Sequence, residues 1–244
     1  MHGLKAMIKR ELIGYFSTPL AYVFMAIFLL LTGIFTFYFG NFYERGQADL
    51  FPFFTWHPWL YLFLIPAITM RLWAEERKSG TIELLFTQPL TLWQLVLGKF
   101  FAAWICTAIA LGLTFPIWLT VNYLGHPDNG VILAGYIGSL LMAAAYISIG
   151  LCISATSKNQ VIAFIITLVV CFLFTLSGYP LVLDFFDHWL PQFLLDTISS
   201  FSFLTNFDEI SKGVMELSSI AYFILVSMFW LALNTIILLH KKSH

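Results

Sequence analysis

"AEERKSGTIELLFTQPLTLWQLVLGK" occupies Ala74 to Lys99, a charged and hydroxyl-bearing run between two long apolar blocks. It sits in a chain of 244 residues that is 60% hydrophobic and 10% charged, with 26 phenylalanines and a mean hydropathy of +0.87. That composition belongs to membrane proteins, because too few polar residues remain to cover a soluble core. A helix crossing the hydrocarbon layer needs about 20 mostly apolar residues. Six blocks meet that test, at about 20–41, 57–73, 95–121, 131–155, 160–181 and 219–240. The sequence therefore predicts an all-α membrane protein, a single transmembrane domain over residues 1–244 with six transmembrane helices.

The first block follows Lys5, Lys9 and Arg10, as a signal peptide's would, but it is too long and lacks a small-residue cleavage site. It reads as a retained span. Cys106, Cys152 and Cys171 all fall inside spans, where they act as small apolar residues, so neither a disulfide nor a metal cluster is expected.

Short loops rich in Lys and Arg mark the cytoplasmic side. With the N-terminus inside, the inner set is Lys5, Lys9, Arg10, Arg71, Arg77, Lys78, Lys99, Lys158, Lys241 and Lys242, leaving Arg45 and Lys212 outside. Both termini are then cytoplasmic, and so is the 74–94 segment. Before the first span, Leu4, Met7, Ile8, Leu12 and Tyr15 recur at helical spacing opposite Lys5, Lys9, Arg10 and Glu11. Residues 1–18 thus read as an amphipathic helix in the cytoplasmic interface, ended by Ser17-Thr18-Pro19. Outside, residues 182–218 are too apolar for a solvated loop, with Leu190, Phe193, Leu194, Ile198, Phe201 and Leu204. Pro191 and the surrounding acids argue against a full crossing, so one or two short re-entrant helices are expected.

Catalytic chemistry is thin. The chain has no His-Glu-x-x-His zinc pattern and no Gly-x-Ser-x-Gly nucleophile turn. Gly98-Lys99 is followed by Phe100 and has Trp93 where a phosphate-binding loop needs its first glycine, so the chain cannot hold ATP that way. His57, beside Pro58, reads as structural. No Asp, Glu, Lys or Arg falls near the middle of a span, which disfavours coupling to an ion gradient. Energy for transport would then arrive from outside the chain.

The opening stretch is the candidate inlet. Glu75, Glu76, Arg77 and Lys78 extend the second span and are placed to pair along or across one helix. Ser79-Gly80 breaks that helix, since glycine admits a reversal of direction. Thr81 is placed to cap a short second helix with Glu83 in its first turn, and Pro89 ends it. Ile82, Leu85 and Phe86 share one face of that helix and Thr87 lies on the other, a pattern suited to plugging a partner's groove.

The run "MRLWAEERKSGTIELLFTQPLTLWQLVLGKF" at 70–100 resembles the cytoplasmic signature of ABC-2-type transporter permeases. "KAMIKRELIGYFSTPLAYVF" at 5–24 and "YISIGLCISATSKNQVIAF" at 146–164 fit the same pattern. The chain is most similar to the gliding-motility-associated, GldF-like branch, close to permeases for multi-copper enzyme maturation. The resemblance implies the type V exporter fold, with residues 1–18 as connecting helix and Thr81 to Thr87 as coupling helix. It makes Glu75, Glu76, Arg77, Gly80, Thr81, Ile82, Glu83, Leu85, Phe86, Thr87 and Pro89 a contact for an ATPase, with the Ser157-Lys158-Asn159-Gln160 turn as a smaller second one. It also implies a cytoplasmic ABC ATPase dimer that binds the ATP and Mg, leaving none for this chain. A second permease copy, or a related membrane subunit with an extracytoplasmic domain, would complete the complex in a bacterial inner membrane. Surrounding lipid is a further partner and nucleic acid is not. The competing reading is a non-transporting scaffold or mechanical coupling subunit that uses the same loop to recruit an ATPase.

Overall fold

The computed structural model describes residues 2–187 and 191–242, and among them every element is helical. An interfacial-type helix α1 (His2–Phe16) precedes α2 (Pro19–Ile34), which runs into a π-helical turn over Phe35–Phe39. After a loop come α3 (Phe51–Thr55), α4 (His57–Thr69), α5 (Arg71–Ser79) and α6 (Thr81–Phe86). Next are α7 (Leu92–Gly112), α8 (Phe115–Leu124), α9 (Asn129–Thr156) and α10 (Gln160–Leu176). Three short helices follow, α11 (Pro180–Asp187), α12 (Gln192–Ser200) and α13 (Phe203–Ser211), and then α14 (Leu217–Lys242).

Four helical stretches are long and apolar enough to cross a membrane: Ala21–Phe39, Leu92–Leu124, Asn129–Thr156 and Leu217–Lys241. The second sequence block is instead α4 and α5, separated only by Met70, whose φ of −53° and ψ of −32° stay helical. Two residues explain the break. Pro66 has no amide hydrogen to continue the ladder. The Ser154 hydroxyl, reaching across from α9, accepts from the Trp73 and Ala74 amides, each at 3.1 Å, and donates to the Met70 carbonyl at 2.9 Å. A side chain inserted into a helix ladder is a recognised cause of a kink.

The third block is broken near Leu113 and Thr114, where Pro116 opens α8. The fifth ends earlier than 181: α10 stops at Leu176 after 17 residues, and Pro180 starts a new helix. Proline cannot supply the amide that would carry α10 onward.

The core is organised around α9, which packs against α4, α5, α7, α10, α13 and α14. Its buried face is rich in small residues, among them Gly138, Ser139, Ala143, Ala145, Ser148 and Ala155. Small side chains let helix backbones approach closely, which matters in lipid, where no hydrophobic force drives helix association. Its Tyr146 hydroxyl lies 2.7 Å from Thr175 Oγ1 on α10 and donates to the Pro58 carbonyl on α4 at 3.2 Å.

The segment expected to carry one or two short helices carries three, and Leu190 and His188 lie outside the described residues. Its inward face is also different. Phe193, Leu194, Ile198 and Phe201 are exposed, while Phe203, Phe207 and Ile210 of α13 are buried against the bundle.

Charged groups gather at two ends. Arg10, Glu11, Arg71, Glu76, Arg77, Lys99 and Lys241 meet at one, whereas Asp49, Asp128 and Lys212 border a cleft elsewhere.

Candidate functional site

The root of the 74–94 segment is a buried ion cluster. Lys99, only 1% exposed near the start of α7, places Nζ 2.9 Å from Glu76 Oε1 and 3.2 Å from Glu11 Oε1. Arg10 joins at 2.7 Å from Glu11 and 3.4 Å from Glu76. Two cations and two carboxylates therefore balance where α1, α5 and α7 meet. The Lys99 ammonium also sits 4.9 Å from the centre of the Trp73 ring, whose face attracts a cation. α1 lies close along α7 because position 98 is glycine; a Cβ there would stand 2.3 Å from Met7 Cγ.

The two acids titrate apart. Burial works against the charged form of Glu11, but Lys99 and Arg10 outweigh it and hold its pKa below the ordinary value. Burial dominates at Glu76 and raises its pKa. Glu76 Oε1 takes all the ion-pair contacts, and its other oxygen is buried without a hydrogen bond.

Beyond this root, the reversal falls at Gly80, whose φ of +74° and ψ of 1° are left-handed and suit glycine. Gly80 ends α5 and starts α6, so Thr81 is the first helical residue and not the cap expected from the sequence. Its hydroxyl turns back instead, 2.9 Å from Ser79 Oγ. Thr87 follows the last turn and donates to the Leu84 carbonyl at 2.8 Å. Pro89 lies in the link to α7, where Thr91 and Gln94 form a reciprocal capping box.

The largest correction concerns the apolar edge of α6. Leu85 is 4% exposed and belongs to the chain's own core, and Ile82 and Phe86 pack against that core. A six-residue helix cannot bury one stripe in its own bundle and offer the same stripe to a partner. The face left open carries Thr81, Glu83, Leu84 and Thr87, with Leu84 67% exposed. Glu75 and Lys78 are exposed as well. The charges of α5 do not pair with one another: Glu76 reaches Lys99 and Arg10, and Arg77 Nη1 donates to the Ala155 carbonyl at 3.0 Å.

That last bond links the two predicted contacts. Ala155 lies in the final turn of α9, whose carbonyls have no partners farther along the helix. Lys241 Nζ donates to the same oxygen at 2.6 Å. Burial, with Arg77 and Lys158 nearby, brings the Lys241 pKa down to about 8. Immediately beyond, Ser157 Oγ accepts from the Asn159 amide at 3.0 Å, and Asn159 Oδ1 accepts from Val161 at 2.9 Å, capping α10. Lys158 and Asn159 are exposed there, and Ser157 and Gln160 half-buried.

Sequence reasoning missed Lys99, Glu11, Arg10, Ser154 and Leu84. One signal was available: Lys99 is a basic residue within an apolar block, and such a residue is stable when it has a partner.

A family model described as ABC-2 family transporter protein matches residues 39–239. That match covers well over half of the chain, and the chain belongs to this family. No curated protein matches it. The protein is therefore a multi-pass membrane protein and a permease component of an ABC transporter, a class that works with an ABC ATPase and is generally not catalytic itself.

Proposed function

We propose that this ABC-2 family chain is the permease subunit of an ATP-driven exporter and receives its power stroke through α5 and α6. In this reading a cytoplasmic ATPase dimer closes on ATP, presses on the open face of α6, and the motion passes into the spans. The observation that carries it is the buried ion cluster at the root of the segment. Lys99, Glu11, Glu76 and Arg10 tie α5 to α1 and α7, and Arg77 ties α5 to α9. A push on α6 therefore has stiff paths into three other helices.

The contact surface we assign is Glu75, Thr81, Glu83, Leu84 and Thr87, with Lys158 and Asn159 on the neighbouring turn, all of them exposed. Gly80 shapes the turn, and Glu76 and Arg77 act from beneath it. We read α4 with α5, and α10, as the second and fifth of six spans in one transmembrane domain. Both termini are placed in the cytoplasm of a bacterial cell, with the chain in its inner membrane. The functional unit pairs it with a second permease copy or a related membrane subunit, in a complex of the gliding-motility type.

Co-purification with the ATPase and permease-stimulated ATP hydrolysis test this. Leu84→Asp or Glu83→Arg is expected to lower both at least several-fold while the permease stays folded; unchanged values in both variants overturn the assignment. ATP-dependent movement of a solute in reconstituted vesicles is expected from an exporter and is absent from a recruiting scaffold.

A further inference from the structure

A crevice between α2, α4 and α7 is lined by apolar side chains, including Phe24, Met25, Phe28, Leu64, Ile65 and Ala110. It encloses about 490 Å³ of atom-free space and opens to the exterior. One charged group borders it, Arg71. The Arg71 guanidinium lies 5.0 Å from the Tyr15 ring centre and 3.5 Å from Thr18 Oγ1, at the residue that precedes α2. It forms no ion pair among the described residues. In the adjoining polar cleft Glu11 and Glu76 are taken up by Lys99 and Arg10, and Glu75 is exposed. Thr18 gives α2 no side-chain cap, which adds positive potential at the same level.

The dimensions name the occupant. From Arg71 back to Tyr61, both lining residues, the helix advances about 15 Å, the hydrocarbon depth of one leaflet. A cation at one end of an apolar slot one leaflet deep matches a lipid with its phosphate at the interface and its tail toward the midplane. We propose that this crevice is a resident-lipid site, taking one acyl chain of an anionic bilayer phospholipid with its phosphate on Arg71. The proposal needs only that the chain crosses a membrane and is independent of how α6 meets the ATPase.

Native mass spectrometry of the purified full chain, titrated with dioleoyl phosphatidylglycerol or dioleoyl phosphatidylcholine, tests it. The wild type is expected to retain one phosphatidylglycerol with about fivefold preference, the factor one basic residue near a membrane surface supplies. Arg71→Gln is expected to erase the preference, and Ala110→Phe, which fills the slot, to abolish retention of both lipids. Ala21→Phe narrows the opposite wall and gives the same loss should Ala110→Phe fail to fold. Inorganic phosphate is expected not to displace the bound lipid. Equal retention by the wild type and the slot-filling variants overturns the proposal, and so does displacement by phosphate, which places a free anion at Arg71.

Discussion

α6 and α13 are both short amphipathic helices beside the main bundle, and the chain treats them differently. α13 drives Phe203, Phe207 and Ile210 fully into the core and is fastened by side-chain bonds of its own. Ser202 caps it and donates to the Thr175 carbonyl, and Asn206 donates to the Ser200 and Ser202 carbonyls. α6 buries Leu85 and half-buries Ile82 and Phe86, and its other face meets no part of the chain. What holds it lies one helix earlier, in the ion cluster beneath α5. The contrast separates a packing element from a lever: α13 is fixed through its own length, and α6 is fixed at its root.

The largest test strikes that root. Lys99→Met leaves two carboxylates buried with Arg10 as their remaining cation, and breaking such a pair costs about 3–5 kcal/mol. Chemical denaturation in detergent is expected to show that loss, with Glu76→Gln added to Lys99→Met recovering part of it. A loss under about 1 kcal/mol means the root is not what holds α6.

Truncating the buried stripes comes next. Phe207→Ala is expected to cost about 3 kcal/mol and Leu85→Ala about 2 kcal/mol, since each leaves a cavity in proportion to the volume removed. The sharper difference is functional: in ATPase pull-downs at matched folded protein, Leu85→Ala lowers association by shifting α6, and Phe207→Ala leaves it unchanged.

Gly80→Ala is expected to cost about 1 kcal/mol, because a Cβ is disfavoured at positive φ. Its thermal midpoint should fall modestly while its stimulation of ATP hydrolysis falls more, as the turn sets the direction of α6.

The smallest effect is in pH. Glu11 has its pKa held below the ordinary 4.5, so near and below that pH the unfolded chain binds more protons than the folded one. Stability then rises with pH in that window, is fully present above it, and is lost as pH falls through the folded value. Thermal midpoints followed below about pH 5 should decline less steeply for Glu11→Gln than for the wild type. Parallel declines would remove Glu11 from the cluster's energetics.

Much of this was legible in the residues. The apolar blocks located the long helices, Pro116 marked the break before α8, and Ser79-Gly80 marked the reversal. The site was legible in outline only. Ile82, Leu85 and Phe86 were correctly grouped on one face, yet their direction was misread, because periodicity gives a stripe and not the object it faces. In the 182–218 segment the same limit hid α13, whose apolar residues read no differently from the exposed ones of α12.

By itself the sequence determined the helical, membrane-embedded character of the chain and the position of the hinge at Gly80. It could do so because hydrophobic length and backbone permissiveness are local properties. Only the tertiary structure decided that Lys99 meets Glu11 and Glu76, from 88 and 23 positions away, and that Ser154 opens the ladder at Met70. Which groups share a buried site depends on how helices pack, and a buried charge or hydroxyl is stable only where that packing supplies its partner.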